Sequence, residues 1–173
     1  EFLKHYHNQH PLRIGPPKEE LRSRLNLTLQ VFNTALPKLQ EDEIITDKGP
    51  LIQRPNHIRK LSKLQQSAAD EYLHLLEASP YSPPTNSTID EEVLHLLADE
   101  GRVVQVNETI VFSDSAYQTM AKKVSEYIEE RGKVSIADVR DMFGTSRKYA
   151  LALLDHLDKQ HITRRVGDSR ILR

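Results

Sequence analysis

The sequence predicts an α+β chain that is mainly helical, with small β-hairpins at regular intervals. Apolar residues recur at helical spacing, as in Tyr117, Met120, Ala121, Val124 and Ile128. Three times such a pattern ends on a Leu, passes through a few charged residues and enters a β-rich hairpin. The stretches are LQEDEIITDKGPLIQR from Leu39, LADEGRVVQVNETIVF from Leu97 and LDKQHITRRVGDSRILR from Leu157. Their spacings, 58 and 60 residues, suggest three units of one fold. Each hairpin has a turn signal: Lys48-Gly49, Asn107-Glu108 and Gly167-Asp168.

The last unit, residues 114–173, shows its elements most plainly. The helix of Tyr117 to Ile128 ends at Gly132, and Lys133–Ser135 has room for a very short strand. Ser135 with Asp138 three residues on resembles a capping box, opening a helix that carries Ile136, Val139 and Phe143. Gly144 turns the chain, and Ser146 or Thr145 caps a third helix with Ala150, Leu153, Leu154 and Leu157 inward. Strands over Ile162–Val166 and Arg170–Leu172 close the unit. The order helix, strand, helix, helix, strand, strand is that of a winged helix, a helix-turn-helix with a hairpin wing.

The first unit, residues 1–61, fits the same plan: a helix to about His10, then one opened by Pro16-Pro17 with Glu19 and Glu20 and turning Leu21 and Leu25 inward. Pro37 would kink a third helix, and a cap at Asn33 or Thr34 would place it harmlessly in the first turn. In the middle unit, residues 62–113, Ala69, Tyr72, Leu73 and Leu76 mark the first helix. A Pro-rich loop, SPYSPPTNST, then replaces most of the second, and Thr88 and Glu91 cap a helix carrying Val93, Leu94 and Leu97. The linkers near Pro55–Leu61 and Ser113–Ser115 are short, which predicts an elongated array of packed units. Each unit of about 60 residues has a small core, so packing between neighbours should help to hold it folded.

Composition is ordinary for a soluble chain: 173 residues, 38% hydrophobic, 28% charged, net charge -1. No window is long and apolar enough for a membrane span. The absence of Cys excludes disulfides and thiolate chemistry and makes a reducing cytoplasm the default compartment. The start, EFLKHYHNQH, has neither an initiator Met nor a signal-peptide pattern, so the chain is expected to be part of a longer protein. The sequons at Asn26, Asn86 and Asn107 are then chance matches. There is no phosphate-binding loop, dinucleotide fingerprint or nucleophile elbow. His5, His7 and His10 are the nearest approach to a metal cluster, but His5 and His7 fall on different helix faces with no acid nearby in sequence. The other histidines are scattered, and Glu91-Glu92 and Glu129-Glu130 read as solvated faces, so neither catalysis nor a cofactor is expected.

Charge is unevenly distributed, at +3 over residues 1–61, -7 over 62–113 and +3 over 114–173. From Arg140 onward, 8 basic residues face 4 acidic ones, so a polyanion is drawn to the C-terminal end and repelled by the middle. In TSRKYALALL, Arg147 and Lys148 occupy a first helical turn, where the helix dipole disfavours cations. A helix-turn-helix presents that turn to nucleic acid, and Ser146 and the free backbone N–H groups suit a phosphate. Lys133 and Arg140 flank the second helix, and Arg164, Arg165 and Arg170 lie on the hairpin. Strand alternation separates Arg164 from Arg165, so one of the two is expected to support structure or to cross to an edge. Tyr149 could stack on a base, but its neighbour Ala150 is a core position and favours partial burial. Winged helices also bind proteins, so an interaction scaffold and a duplex-DNA-binding transcription regulator stand beside an RNA reader.

TSRKYALALLDHLDKQHITRRVGDSRILR, together with YHNQHPLRIGPPKEELRSRL, closely resembles the C-terminal part of the bacterial selenocysteine-specific translation elongation factors, the SelB family. The resemblance covers essentially the whole chain. It implies the last three of four tandem winged helices, beginning in the second. It also implies that the last one binds the selenocysteine insertion hairpin (SECIS) of the mRNA. The factor is thereby tethered beside a UGA codon on the ribosome, with GTP, magnesium and selenocysteinyl-tRNA on N-terminal domains absent from this chain. The matching positions are Arg147, Lys148 and Tyr149 on the helix and Arg164, Arg165, Gly167 and Asp168 at the wing. A cytoplasmic monomer with no membrane partner is expected, with the acidic middle unit as a spacer.

Overall fold

A computed structural model describes residues 1–86 and 89–173. They form two compact units, Glu1–Leu64 with Glu91–Leu96, and Gln65–Asp90 with Leu97–Arg173.

In the first unit, α1 (Phe2–Gln9) is followed by α2 (Lys18–Arg24) and α3 (Leu29–Glu41). Pro17, at φ -56°, caps α2 with a dihedral its ring already favours; Glu19 and Glu20 stand in the first turn and Arg22 and Arg24 in the last, complementing the dipole. The hairpin of β1 (Thr46–Lys48) and β2 (Leu51–Gln53) pairs Asp47 with Ile52. The segment entering α2 lies against β2: Ile52 N–H donates to Pro16 O at 3.0 Å and Lys18 N–H to Pro50 O at 2.9 Å. Only a glycine fits just before it, since a Cβ on Gly15 would lie 1.9 Å from Ile52 O. The core is small: Leu21, Phe32, Ile45 and Ile52, flanked by partly buried Phe2, Leu3, Leu27, Leu36 and Leu39.

Two expectations fail here. Leu25 does not point inward; it is 50% exposed just past the end of α2. The cap of α3 is Thr28, whose side chain accepts from Val31 N–H, so Pro37 lies inside the helix. Proline leaves the Asn33 carbonyl without its helical donor, and both residues are exposed, so water can satisfy it. His7 is buried, with Nε2 donating to Ile14 O at 3.0 Å. Its ring stacks on His57 at 3.7 Å, and His57 Nε2 donates to Arg13 O at 3.1 Å. The pair joins α1 to the segment after the hairpin.

The second unit contains most of α4 (Lys63–Ala78), whose Ala69, Tyr72 and Leu76 are buried. The Pro-rich stretch forms no helix among the described residues, and the expected cap Thr88 lies outside them. The helix α5 (Glu91–Asp99), whose Glu91–Leu96 belong to the first unit, buries Val93, Leu96 and Leu97. A second hairpin, β3 (Val103–Gln105) and β4 (Val111–Ser113), turns through Asn107, whose Oδ1 accepts from the backbone of Thr109 and Ile110.

After it come α6 (Asp114–Arg131), β5 (Val134–Ser135), α7 (Ile136–Phe143), α8 (Arg147–Lys159), β6 (Thr163–Val166) and β7 (Ser169–Leu172). This is the expected winged-helix order, and β7 lies between β5 and β6 in an antiparallel sheet. Gly132 and Gly144 end α6 and α7 in the left-handed region, at φ 78° and 57°. Ser135 and Asp138 form the capping box, which holds the Asp138 carboxyl below its ordinary range through hydrogen bonds from Ser135. One core joins Val106, Ile110 and Phe112 of the middle hairpin to Met120, Val124 and Ile128 of α6 and Leu153, Leu154 and Leu157 of α8. The last winged helix therefore shares its interior with the hairpin before it.

Two histidines make the fold acid-sensitive. Burial, then the neighbouring His7, Arg54 and Arg59, push His57 below the ordinary 6.5, although its bond to Arg13 O opposes them. Burial, then Lys159, lower His156, whose Nδ1 shares a hydrogen bond with Tyr117 Oη at 3.0 Å. Burial raises Tyr117, so the phenol keeps its proton. Both folded-state histidines lie below their unfolded value, so the unfolded chain binds more protons as pH falls. Their contribution is complete above 6.5 and is lost as pH falls through the folded values. Urea titrations should give a flat midpoint between about pH 7 and 8 and a falling one below about pH 6.5. The H57Q and H156Q variants should each flatten that fall; an unchanged acid limb in both would contradict the assignment.

Candidate nucleic-acid interface

The first turn of α8 carries cations and no acid. Ser146 is its N-cap and makes no side-chain capping bond. Ser146, Arg147 and Lys148 are all exposed, and among the described residues Arg147 has no hydrogen-bond or ion-pair partner. Behind that turn the helix is apolar, with Ala150, Ala152, Leu153, Leu154 and Leu157 buried. The wing turns at Gly167-Asp168, where positive φ falls only on Gly167, at 60°, the pattern of a type II′ turn. Arg164 and Arg165 on β6 are exposed, and Arg165 Nε donates to Gly167 O at 2.9 Å.

Arg170 on β7 behaves differently, being 1% exposed. Its Nη2 reaches Asp155 Oδ1 at 2.7 Å and its Nε reaches Asp158 Oδ2 at 3.1 Å. Asp158 also accepts from Thr163 Oγ1 at 2.6 Å. The guanidinium thus ties β7 to the C-terminal half of α8, with β6 joined through the same carboxylate. Its charge is spent inside the unit.

Two family models described as "Elongation factor SelB, winged helix" match residues 1–53 and 126–172. The chain belongs to the SelB family. The second match contains the whole of α8 and the wing. The chain is 25% identical over its full length to the selenocysteine-specific elongation factor of Desulfomicrobium baculatum. It is 25% identical, again over its full length, to that of Escherichia coli K12, and 24% identical over 99% of its length to that of Haemophilus influenzae. It spans only 29–30% of the length of these SelB relatives. A similar fold occurs in a solved structure of the E. coli SelB mRNA-binding domain in complex with SECIS RNA, at TM-score 0.52 and 22% identity, covering 65% of this chain and 99% of that one. It also occurs in a crystal structure of a bacterial selenocysteine-specific elongation factor, at TM-score 0.54 and 19% identity, covering 98% of this chain and 28% of that one.

Within this SelB fold the sequence-selected residues separate into distinct environments. Ser146, Arg147, Lys148, Arg164, Arg165 and Gly167 are exposed on α8 and the wing, and Lys133 is exposed just before β5. Arg140 is exposed on α7 but paired with Asp141 at 2.7 Å. Arg170 must be withdrawn from a surface role. The arginine that supports structure is therefore neither Arg164 nor Arg165 but the one opposite Arg165 in the β6–β7 register. Tyr149 is half-buried, and its hydroxyl donates to Pro83 O at 2.8 Å.

That last contact belongs to a feature sequence patterns missed. Thr145 is buried and caps nothing; its Oγ1 donates to Tyr81 O at 2.5 Å and lies 2.9 Å from Ser82 Oγ. Lys148 Nζ donates to Thr85 Oγ1 at 3.2 Å, and the Tyr81 ring packs on Phe143 at 5.1 Å. The Pro-rich loop, over sixty residues away in sequence, therefore lies against the start of α8. No local periodicity signals such a contact. Its only trace was the ambiguity over whether Thr145 or Ser146 is the cap.

The histidines His5, His7 and His10 do not converge either: His7 is buried on His57, and His10 lies 3.6 Å from Glu92. Among the described residues no group of three or more His, Cys, Asp or Glu is placed to hold a metal. None of the helices described is long and apolar enough to cross a membrane.

If Arg170 is a structural tie, its loss should be costly. R170A should destabilise the second unit by about 3 kcal/mol, at the lower end for a broken buried pair because Asp155 and Asp158 can reach solvent. R165A should stay within about 0.5 kcal/mol of the parent. Chemical denaturation measures both, and equal effects would contradict the division of roles.

Proposed function

We propose that this chain is the mRNA-hairpin-binding part of a selenocysteine-specific elongation factor, tethering it to the message where UGA is read as selenocysteine. The observation that carries the reading is the exposed, acid-free first turn of α8 together with an exposed basic wing, in a chain of the SelB family. A relative of the same fold is described in complex with SECIS RNA. The ribosome and selenocysteinyl-tRNA are partners of the longer factor, and GTP with magnesium belongs to its other domains. This part acts in the cytoplasm by binding, without catalysis or cofactor.

A protein helix cannot enter the deep, narrow major groove of A-form RNA, so recognition is of the loop, its unstacked bases and the phosphates beside them. The Ser146 hydroxyl and the free N–H groups of the first turn of α8 take one phosphate, with Arg147 beside it. Arg164 and Arg165 take others from the wing, with Lys133 at the margin. An unstacked base lies against Arg147, Lys148 or the remaining face of Tyr149. Arg140, already paired with Asp141, contributes little. Phosphate relieves the repulsion between the first-turn cations and the positive end of the helix.

Two measurements check this. With about 3–5 phosphates neutralised, hairpin affinity should fall roughly 20- to 500-fold between 50 and 200 mM salt. R147A alone should weaken binding by about 1–3 kcal/mol if it reads a base. Unchanged affinity in the R147A/K148A double variant would overturn the proposal.

A further inference from the structure

We propose that the Pro-rich loop of residues 79–86 is a positioning element of the RNA face, setting the orientation of the first turn of α8. The geometry points to it through three hydrogen bonds. Tyr81 offers its carbonyl to Thr145, Pro83 its carbonyl to Tyr149 and Thr85 its hydroxyl to Lys148. Ser82 Oγ also lies 2.9 Å from Thr145 Oγ1, so residues 81, 82, 83 and 85 of the loop all reach the turn. Pro80, Pro83 and Pro84 restrict that segment before it docks, which lowers the entropy cost of holding it there.

The contacts divide labour within the cluster. The phenol hydroxyl of Tyr149 is occupied by Pro83 O, so it offers an RNA base its ring and not its hydroxyl. The Lys148 ammonium is held between Thr85 Oγ1 and the Tyr149 ring, 5.7 Å from the ring centroid, and so is fixed in place before RNA arrives. Ordering a long side chain in advance removes part of the entropy that binding would otherwise cost. Thr85 and Thr145 are positioning residues, acting through Lys148 and the helix start.

This inference rests on the RNA reading, and a double-mutant cycle in the full 173-residue chain separates the two. The probe is an RNA hairpin transcribed from a selenoprotein message of the source organism. T85V should weaken binding roughly three- to tenfold at unchanged thermal stability, and T85S should restore it. In a K148A background T85V should have no further effect, which a general loosening of the fold would not reproduce. T145V should likewise weaken binding, with recovery in T145S. Binding by the parent chain and weakening by K148A, with T85V and T145V both silent, would overturn the positioning role alone. An equal T85V effect with and without Lys148 would overturn it too. A parent chain that ignores the hairpin would overturn the RNA reading and this inference together.

Discussion

The structure turns on one buried cation. Arg170 lies at 1% exposure between two carboxylates of α8, Asp155 and Asp158, three residues apart and so on one helix face. Removing a guanidinium from water is costly, and two carboxylates presented to different nitrogens offset that cost. In the sheet Arg170 stands opposite Arg165 on one side and Val134 on the other. The side chain that holds the helix therefore comes from the centre strand.

Surface charge follows from that arrangement. Asp155 and Asp158 are engaged at the far half of α8, and its first turn contains no acid. Arg147, Lys148, Arg164 and Arg165 are exposed, and those carboxylates pair with Arg170 instead. Residues 62–113 carry -7, which disfavours a polyanion there. The loop from that same segment touches the basic helix start with carbonyls and a hydroxyl, not with carboxylates. It can brace the cations without neutralising them.

The last winged helix was largely legible in the sequence because its signals are local. Gly132, Gly144, the Ser135–Asp138 box and the Gly167-Asp168 turn act through their own backbone, and each appears where residue chemistry places it. The misreadings came from interactions that cross elements. Alternation allows Arg164 or Arg165 a supporting role or an edge position, but the matching acids lie on a helix and select Arg170. Leu25 has the right spacing for an inward residue, yet α2 ends before it. Pro37 carries a local cost inside α3 that the exposed helix face tolerates. Thr145, Tyr149 and the loop meet only in three dimensions, and neither hydrophobic period nor charge pattern encodes such a meeting.

The most direct test of the central claim is a parallel titration, at physiological salt, of the full chain against a SECIS hairpin RNA and a DNA duplex of equal length. An RNA reader using one helix turn and one wing should bind the hairpin at least tenfold more tightly than the duplex. Equal affinity, or a preference for the DNA duplex, would contradict it. Binding of neither would return the fold to the protein-interaction reading.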